Sequence, residues 1–130
     1  MDHKSTTSQP GRNAELGVVV AAVKRQEEIV ARAEIDRESP WFAGHFPGEP
    51  ILPGIAQLHM VFEAVQKAGG IKLKLKGLKR VRFKKVIQPE DEIKIVTDPL
   101  ENNPFAFSFR IVVGDELASS GILITERSSA

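Results

Sequence analysis

Gly44-His45-Phe46-Pro47-Gly48-Glu49-Pro50-Ile51-Leu52-Pro53-Gly54 is a stretch that neither a regular helix nor a central strand can absorb. Together with Pro40, the prolines at 47, 50 and 53 remove backbone donors and pin φ, while Gly44 and Gly48 admit conformations closed to other residues. An ordered loop is the reading that remains. It carries one histidine, His45, and rigidity of this kind is what fixing an imidazole requires.

Downstream, no proline interrupts Gly54 to Lys67, and Ile55, Leu58, Phe62 and Val65 recur at helical spacing until Gly69-Gly70 ends the run. This predicts one buried amphipathic helix. Ile71, Leu73 and Leu75 then alternate with Lys72, Lys74 and Lys76, and Val81 and Phe83 alternate with Arg80, Arg82 and Lys84 across a break at Gly77. The pattern is a long strand with one wet face. Further strands are expected at Asp91–Thr97, Phe105–Val113 and Glu116–Thr125, with turns at Pro99–Pro104 and Gly114-Asp115. Upstream, Gly17–Val23 and Ile29–Ile35 read as a strand hairpin, with a helix over Ala14–Ala33 as the competing assignment. A lone helix must bury its apolar face, and a curved antiparallel sheet of about six strands wrapped around it does so. The open edge of such a sheet invites a second copy, so a homodimer or higher oligomer is expected.

At 130 residues the chain suits one domain, because two halves would each have a thin core. The domain is expected over 14–126, with polar tails at 1–13 and 127–130. Hydrophobic residues at 42% and charged residues at 27% exclude a disordered or fibrous chain. A net charge of +1 gives no general attraction to nucleic acid, so any charged partner must be sought at a local patch such as Lys72 to Lys85. Without cysteine there is no disulfide, no thiolate nucleophile and no Cys-ligated zinc. Met1–Asn13 lacks the apolar core of a signal peptide, and no apolar run approaches the roughly 18 residues of a membrane span, so a cytoplasmic protein without a membrane partner is expected.

Extended upstream to Pro40-Trp41-Phe42-Ala43, the quoted stretch resembles the active-site segment of bacterial 3-hydroxyacyl-[acyl carrier protein] dehydratases, the FabZ and FabA kind of hot-dog protein. Val81-Arg82-Phe83-Lys84-Lys85-Val86-Ile87-Gln88-Pro89-Glu90-Asp91 resembles the strand and turn that follow the helix in that family. The likeness covers roughly residues 28 to 126, and the run Pro50 to Leu58 is also similar to the branch of these dehydratases found in aryl-polyene biosynthesis. The resemblance implies an α+β hot-dog fold, a curved antiparallel sheet wrapped around one long central helix. It also implies dehydration of a 3-hydroxyacyl thioester, carried on acyl carrier protein or CoA, to the trans-2-enoyl thioester, without metal or cofactor.

That chemistry needs a base beside the thioester carbonyl, a donor for the oxygen as charge develops, and an acid for the departing hydroxyl. His45 matches the family's base, and a neutral imidazole accepts a proton near neutral pH. Gly54 matches the carbonyl-binding amide and opens the helix, where unpaired N–H groups face outward. Phe46, Pro53 and Ile55 flank the place where the acyl chain would lie. The family's acid is a Glu or Asp given across the dimer interface, and His59 stands at its position here. Glu63 follows one turn later on the same side, where the family often has Gln, so either His59 or Glu63 is the candidate acid. Arg82, Lys84 and Lys85 fall nearest the positions that meet the acidic carrier.

Plainer readings stand beside these. His45 also reads as a structural loop histidine, His59 as an interface histidine, Glu63 as a solvated residue, and the lysine row as the outer face of a strand. A metal held by His45, His59 and Glu63 matches no known ligand spacing. Nucleic acid is disfavoured because aromatic residues are 6% of the chain and tyrosine is absent, leaving no stacking platform. Two further functions remain open. One is a non-catalytic acyl-binding subunit that pairs with a related dehydratase as a heterodimer. The other is a thioesterase, for which Glu49 or Glu63 would activate water.

Overall fold

The computed structural model describes residues 11–13, 18–25, 28–42 and 51–128, and within it the sequence periodicities become seven strands and one helix. Gly11–Asn13 (β1) pairs with Val18–Arg25 (β2), which pairs in turn with Glu28–Ile35 (β3). A single 3-10 turn at Pro40–Phe42 leads toward the proline-rich loop. After the loop come the helix Gly54–Gly69 (α1) and the strands Leu73–Phe83 (β4), Ile93–Leu100 (β5), Asn103–Val113 (β6) and Glu116–Arg127 (β7). Every pairing is antiparallel, in the order β1-β2-β3-β5-β6-β7-β4. This is the α+β hot-dog arrangement that the sequence led us to expect.

One face of the sheet is dry because period-2 alternation sends Ile29, Ala31, Ala33 and Ile35 of β3 inward while Arg32 and Glu34 stay in water. Ile93 and Ile95 of β5, and Phe107, Phe109 and Ile111 of β6, extend the same face. Against it α1 lays Ala56, Met60, Val61, Ala64 and Val65. Alanines on both surfaces, at 31 and 33 on the sheet and 56 and 64 on the helix, keep the two layers close. The helix stops at Gly70, whose φ of 69° closes a hydrogen bond to the Gln66 carbonyl. The Gln66 side chain then accepts the Leu73 amide at 2.7 Å, so the same residue ends the helix and places the first residue of β4.

Four expectations change. The helix weighed over Ala14–Ala33 gives way to strand wherever that range is described, in keeping with the Val-rich, β-branched run from Val18 to Val23. Gly11–Asn13, assigned to a tail, is a seventh strand, and at the other end β7 runs through Arg127, followed by a bond from the Ser128 amide to the Lys72 carbonyl at 2.9 Å. The Pro99–Pro104 turn is tighter than read: both prolines sit inside strands, Pro99 opposite Phe107, and Glu101-Asn102 alone make the reversal. The Asn103 side chain supports it by accepting the Phe105 amide at 2.9 Å. Finally, the apolar side of β4 is only partly covered, at Leu73 and Val81. β4 is an edge strand, register shifts interrupt it at Leu75/Gly77 and Lys79/Arg82, and Leu75, Leu78 and Phe83 are all exposed. Among the described residues no helix is long and apolar enough to cross a membrane.

The turn before β5 holds a strained residue. Glu90 has φ of 69°, a left-handed conformation that costs a non-glycine residue roughly 1 kcal/mol, and it is kept there by its amide bond to the Ile35 carbonyl at 3.0 Å. Its exposed ion pair with Arg37, at 3.6 Å, offsets little of this. Glu90→Gly is expected to stabilise the fold by about 0.5–1 kcal/mol in urea unfolding. An unchanged or lower midpoint would contradict this reading.

Candidate active site

The described residues that flank the proline-rich segment are fastened in the core. Phe42 and Leu52 are buried, and the Leu52 amide donates to the Ile87 carbonyl at 2.8 Å. His45 and Phe46, with Glu49, lie outside the described residues. From Leu52 the chain enters the helix through Pro53, whose φ of −65° and ψ of 155° make it the N-cap residue. The Pro53 carbonyl accepts the Ala56 amide at 3.1 Å and the Gln57 amide at 3.2 Å. Those are the first helical bonds, so the Gly54 and Ile55 amides precede them and remain available at the positive end of the helix.

A groove of about 390 Å³ opens over this end of α1, bounded by Pro53, Gly54 and Gln57 on one side and by Phe83, Lys84 and Val86 on the other. The Phe83 ring lies so close above Gly54 that a β-carbon there would stand 2.6 Å from its Cζ. Any side chain at 54 would push this ring aside. Gln57, 3% exposed, is held by a bond from its Nε2 to the Leu52 carbonyl at 3.4 Å, while its Oε1 is buried without a partner.

Of the residues singled out from the sequence, the structure brings Pro53, Gly54, Lys84 and Lys85 to this one groove. Ile55 points away and is 65% exposed. His59 is exposed as well; five residues beyond Gly54 it lies about 140° around the helix, so it faces away from the groove of its own chain. The Trp41 ring packs near it, with centroids 6.2 Å apart at 46°. Glu63, half-buried, follows on the same side, and no hydrogen bond or ion pair joins it to His59 among the described residues.

The basic row is partly neutralised. Lys74 and Lys76 share Glu126 at 3.3 and 3.8 Å, and Lys85 meets Glu116 at 2.9 Å. That hydrogen bond and charge raise the Lys85 ammonium above its ordinary pKa. Arg82 and Lys84 have no ion pair among the described residues and are exposed.

Two neighbours of the groove were missed in the sequence. Gln57 is the one polar residue in the buried stripe of α1, a signal that was present; Phe83 was read only as part of an alternating strand, and its place over Gly54 depends on a long-range pairing that no local pattern carries.

Residues 21–122 match the ApeI-like family, described as ApeI dehydratase. The chain is 31% identical over 109 residues to the 3-hydroxyacyl-[acyl-carrier-protein] dehydratase FabZ of Koribacter versatilis, covering 73% of this chain and 67% of that one. It is 29% identical over 118 residues to FabZ of Syntrophobacter fumaroxidans, covering 80% and 78%. Among solved structures, the dehydratase heterocomplex ApeI:P from Xenorhabdus doucetiae shares the fold, with a TM-score of 0.69 at 24% identity over 96% of this chain and 100% of that chain.

Proposed function

Because this chain belongs to the ApeI-like dehydratase family, we propose that it removes water from a 3-hydroxyacyl thioester, carried on acyl carrier protein, to give the trans-2-enoyl thioester. The observation that carries the reading is the groove over the helix N-terminus, lined by Gly54, whose amide precedes the first helical bond. In this reading the thioester carbonyl accepts the Gly54 N–H. His45 takes a proton from the carbon next to the carbonyl, and those electrons form the new double bond. The bond to the hydroxyl then breaks, and the hydroxyl leaves as water with a proton from the acid.

The acid comes from outside the chain's own groove, since His59 and Glu63 face away from it. The exposed apolar edge of β4, with Leu75, Leu78 and Phe83, is where a second subunit would continue the sheet and bring such a residue. The solved neighbour's description as a heterocomplex makes a related subunit a natural alternative to a second copy. Lys84, which lines the groove, and the exposed Arg82 two residues before it have no ion pairs among the described residues and suit the acidic carrier.

One observation favours a second reading, that of a non-catalytic half of a mixed pair. His59 occupies the place of the expected carboxylate. Purified protein given a 3-hydroxyacyl thioester is expected to form enoyl thioester, followed by its ultraviolet absorbance, and His59→Glu is expected to change that rate at least tenfold. A fall identifies His59 as a working acid. A rise, or activity only in the variant, supports the mixed pair, and no turnover by either protein contradicts the primary proposal.

A further inference from the structure

We propose that Gln57 is the acceptor that holds the 3-hydroxyl group of the substrate. The inference rests on the dehydratase reading above and adds a specificity-determining residue to it. Gln57 sits in the apolar stripe of α1 between Ala56 and Met60, where an apolar side chain of the same size would give up only the bond to the Leu52 carbonyl. Instead an amide oxygen is buried with no partner, a costly arrangement unless something donates to it. The open atom is the oxygen and not the nitrogen, because Nε2 is engaged by the Leu52 carbonyl and a flipped amide would set two acceptors against each other.

Whatever meets Oε1 must therefore be a donor. Gln57 borders the same groove as Gly54, three residues and about 4.5 Å further along the helix on the same face. A thioester carbonyl held at Gly54 leaves the acyl chain with a single donor, its 3-hydroxyl, two carbons away. The amides of a pantetheine arm are donors too, but they belong to the mouth, where Lys84 and Val86 are exposed, whereas Gln57 is deep. Holding the hydroxyl fixes rotation about the bond that must break. The enoyl product has no donor at that carbon and loses the contact.

The test is a binding comparison with two non-reacting probes, the pantetheine amides of 3-hydroxyhexanoic acid and of hexanoic acid, measured by calorimetry. The wild-type protein is expected to bind the hydroxylated probe about tenfold more tightly, the scale of one net hydrogen bond. In Gln57→Met the two probes are expected to bind equally, with the hexanoyl probe bound as in the wild type. A preference that survives in Gln57→Met overturns the proposal, and so does a wild type that binds both probes equally, whether or not the variant folds. A wild type that binds neither probe and dehydrates no thioester refutes the dehydratase reading itself, a different failure from loss of discrimination alone.

Discussion

His45→Gln is expected to lower kcat/KM for dehydration by about 10²–10⁴-fold, the usual contribution of a positioned general base. The proton next to a thioester carbonyl is weakly acidic, and in the proposed function His45 is the group that accepts it. Glutamine keeps much of the size and hydrogen-bonding capacity of imidazole and removes only the basicity. The loop ends, Phe42 and Leu52, are anchored in the core whatever stands at 45, so the unfolding midpoint is expected to stay close to that of the wild type. Glu49→Gln is the matched control. If Glu49→Gln abolishes turnover while His45→Gln spares it, the site is working through a carboxylate, as a thioesterase would.

Gly54→Ala is expected to cost about 10²–10³-fold in kcat, the effect of losing one donor to a developing oxyanion. The added carbon would lie 2.6 Å from the Phe83 ring, closer than real side chains approach. The ring is 51% exposed on an edge strand and can swing outward, so stability should fall by only about 1 kcal/mol. Chemistry suffers more, because the methyl group and the displaced ring stand where the carbonyl must meet the Gly54 amide. The double variant Gly54→Ala, Phe83→Leu separates the two causes. It is expected to recover stability and leave activity low; recovery of activity would assign the loss to the displaced Phe83 ring and not to the added methyl group.

The fold was legible because its determinants are local. Pro53 marked the entry to α1, Ile55 to Val65 at helical spacing supplied the helix, and alternation supplied the later strands. The family resemblance held as well, including the narrower branch read from Pro50 to Leu58. What escaped were features set by pairing across the chain. Gly11–Asn13 has no pattern of its own and is a strand only because β2 offers an edge. Pro99 and Pro104 signalled a turn, yet the strands close beyond them onto Glu101-Asn102. The lysine row looked uniformly positive until β4 met Glu126, and Lys85 met Glu116, both from β7. Gly54 was singled out from its motif and lines the groove, whereas Phe83 above it follows from β4–β7 register and the path of the helix.

The central claim is that this groove adds and removes water across a carbon–carbon double bond and leaves the thioester intact. The most direct measurement runs the reaction in reverse: a trans-2-enoyl thioester is incubated with the protein in water labelled with heavy oxygen, and the products are read by mass spectrometry. The account predicts intact thioester carrying the label in a new 3-hydroxyl group, with none in free acid. Label in a released carboxylic acid, or no labelled 3-hydroxyacyl thioester, would contradict it.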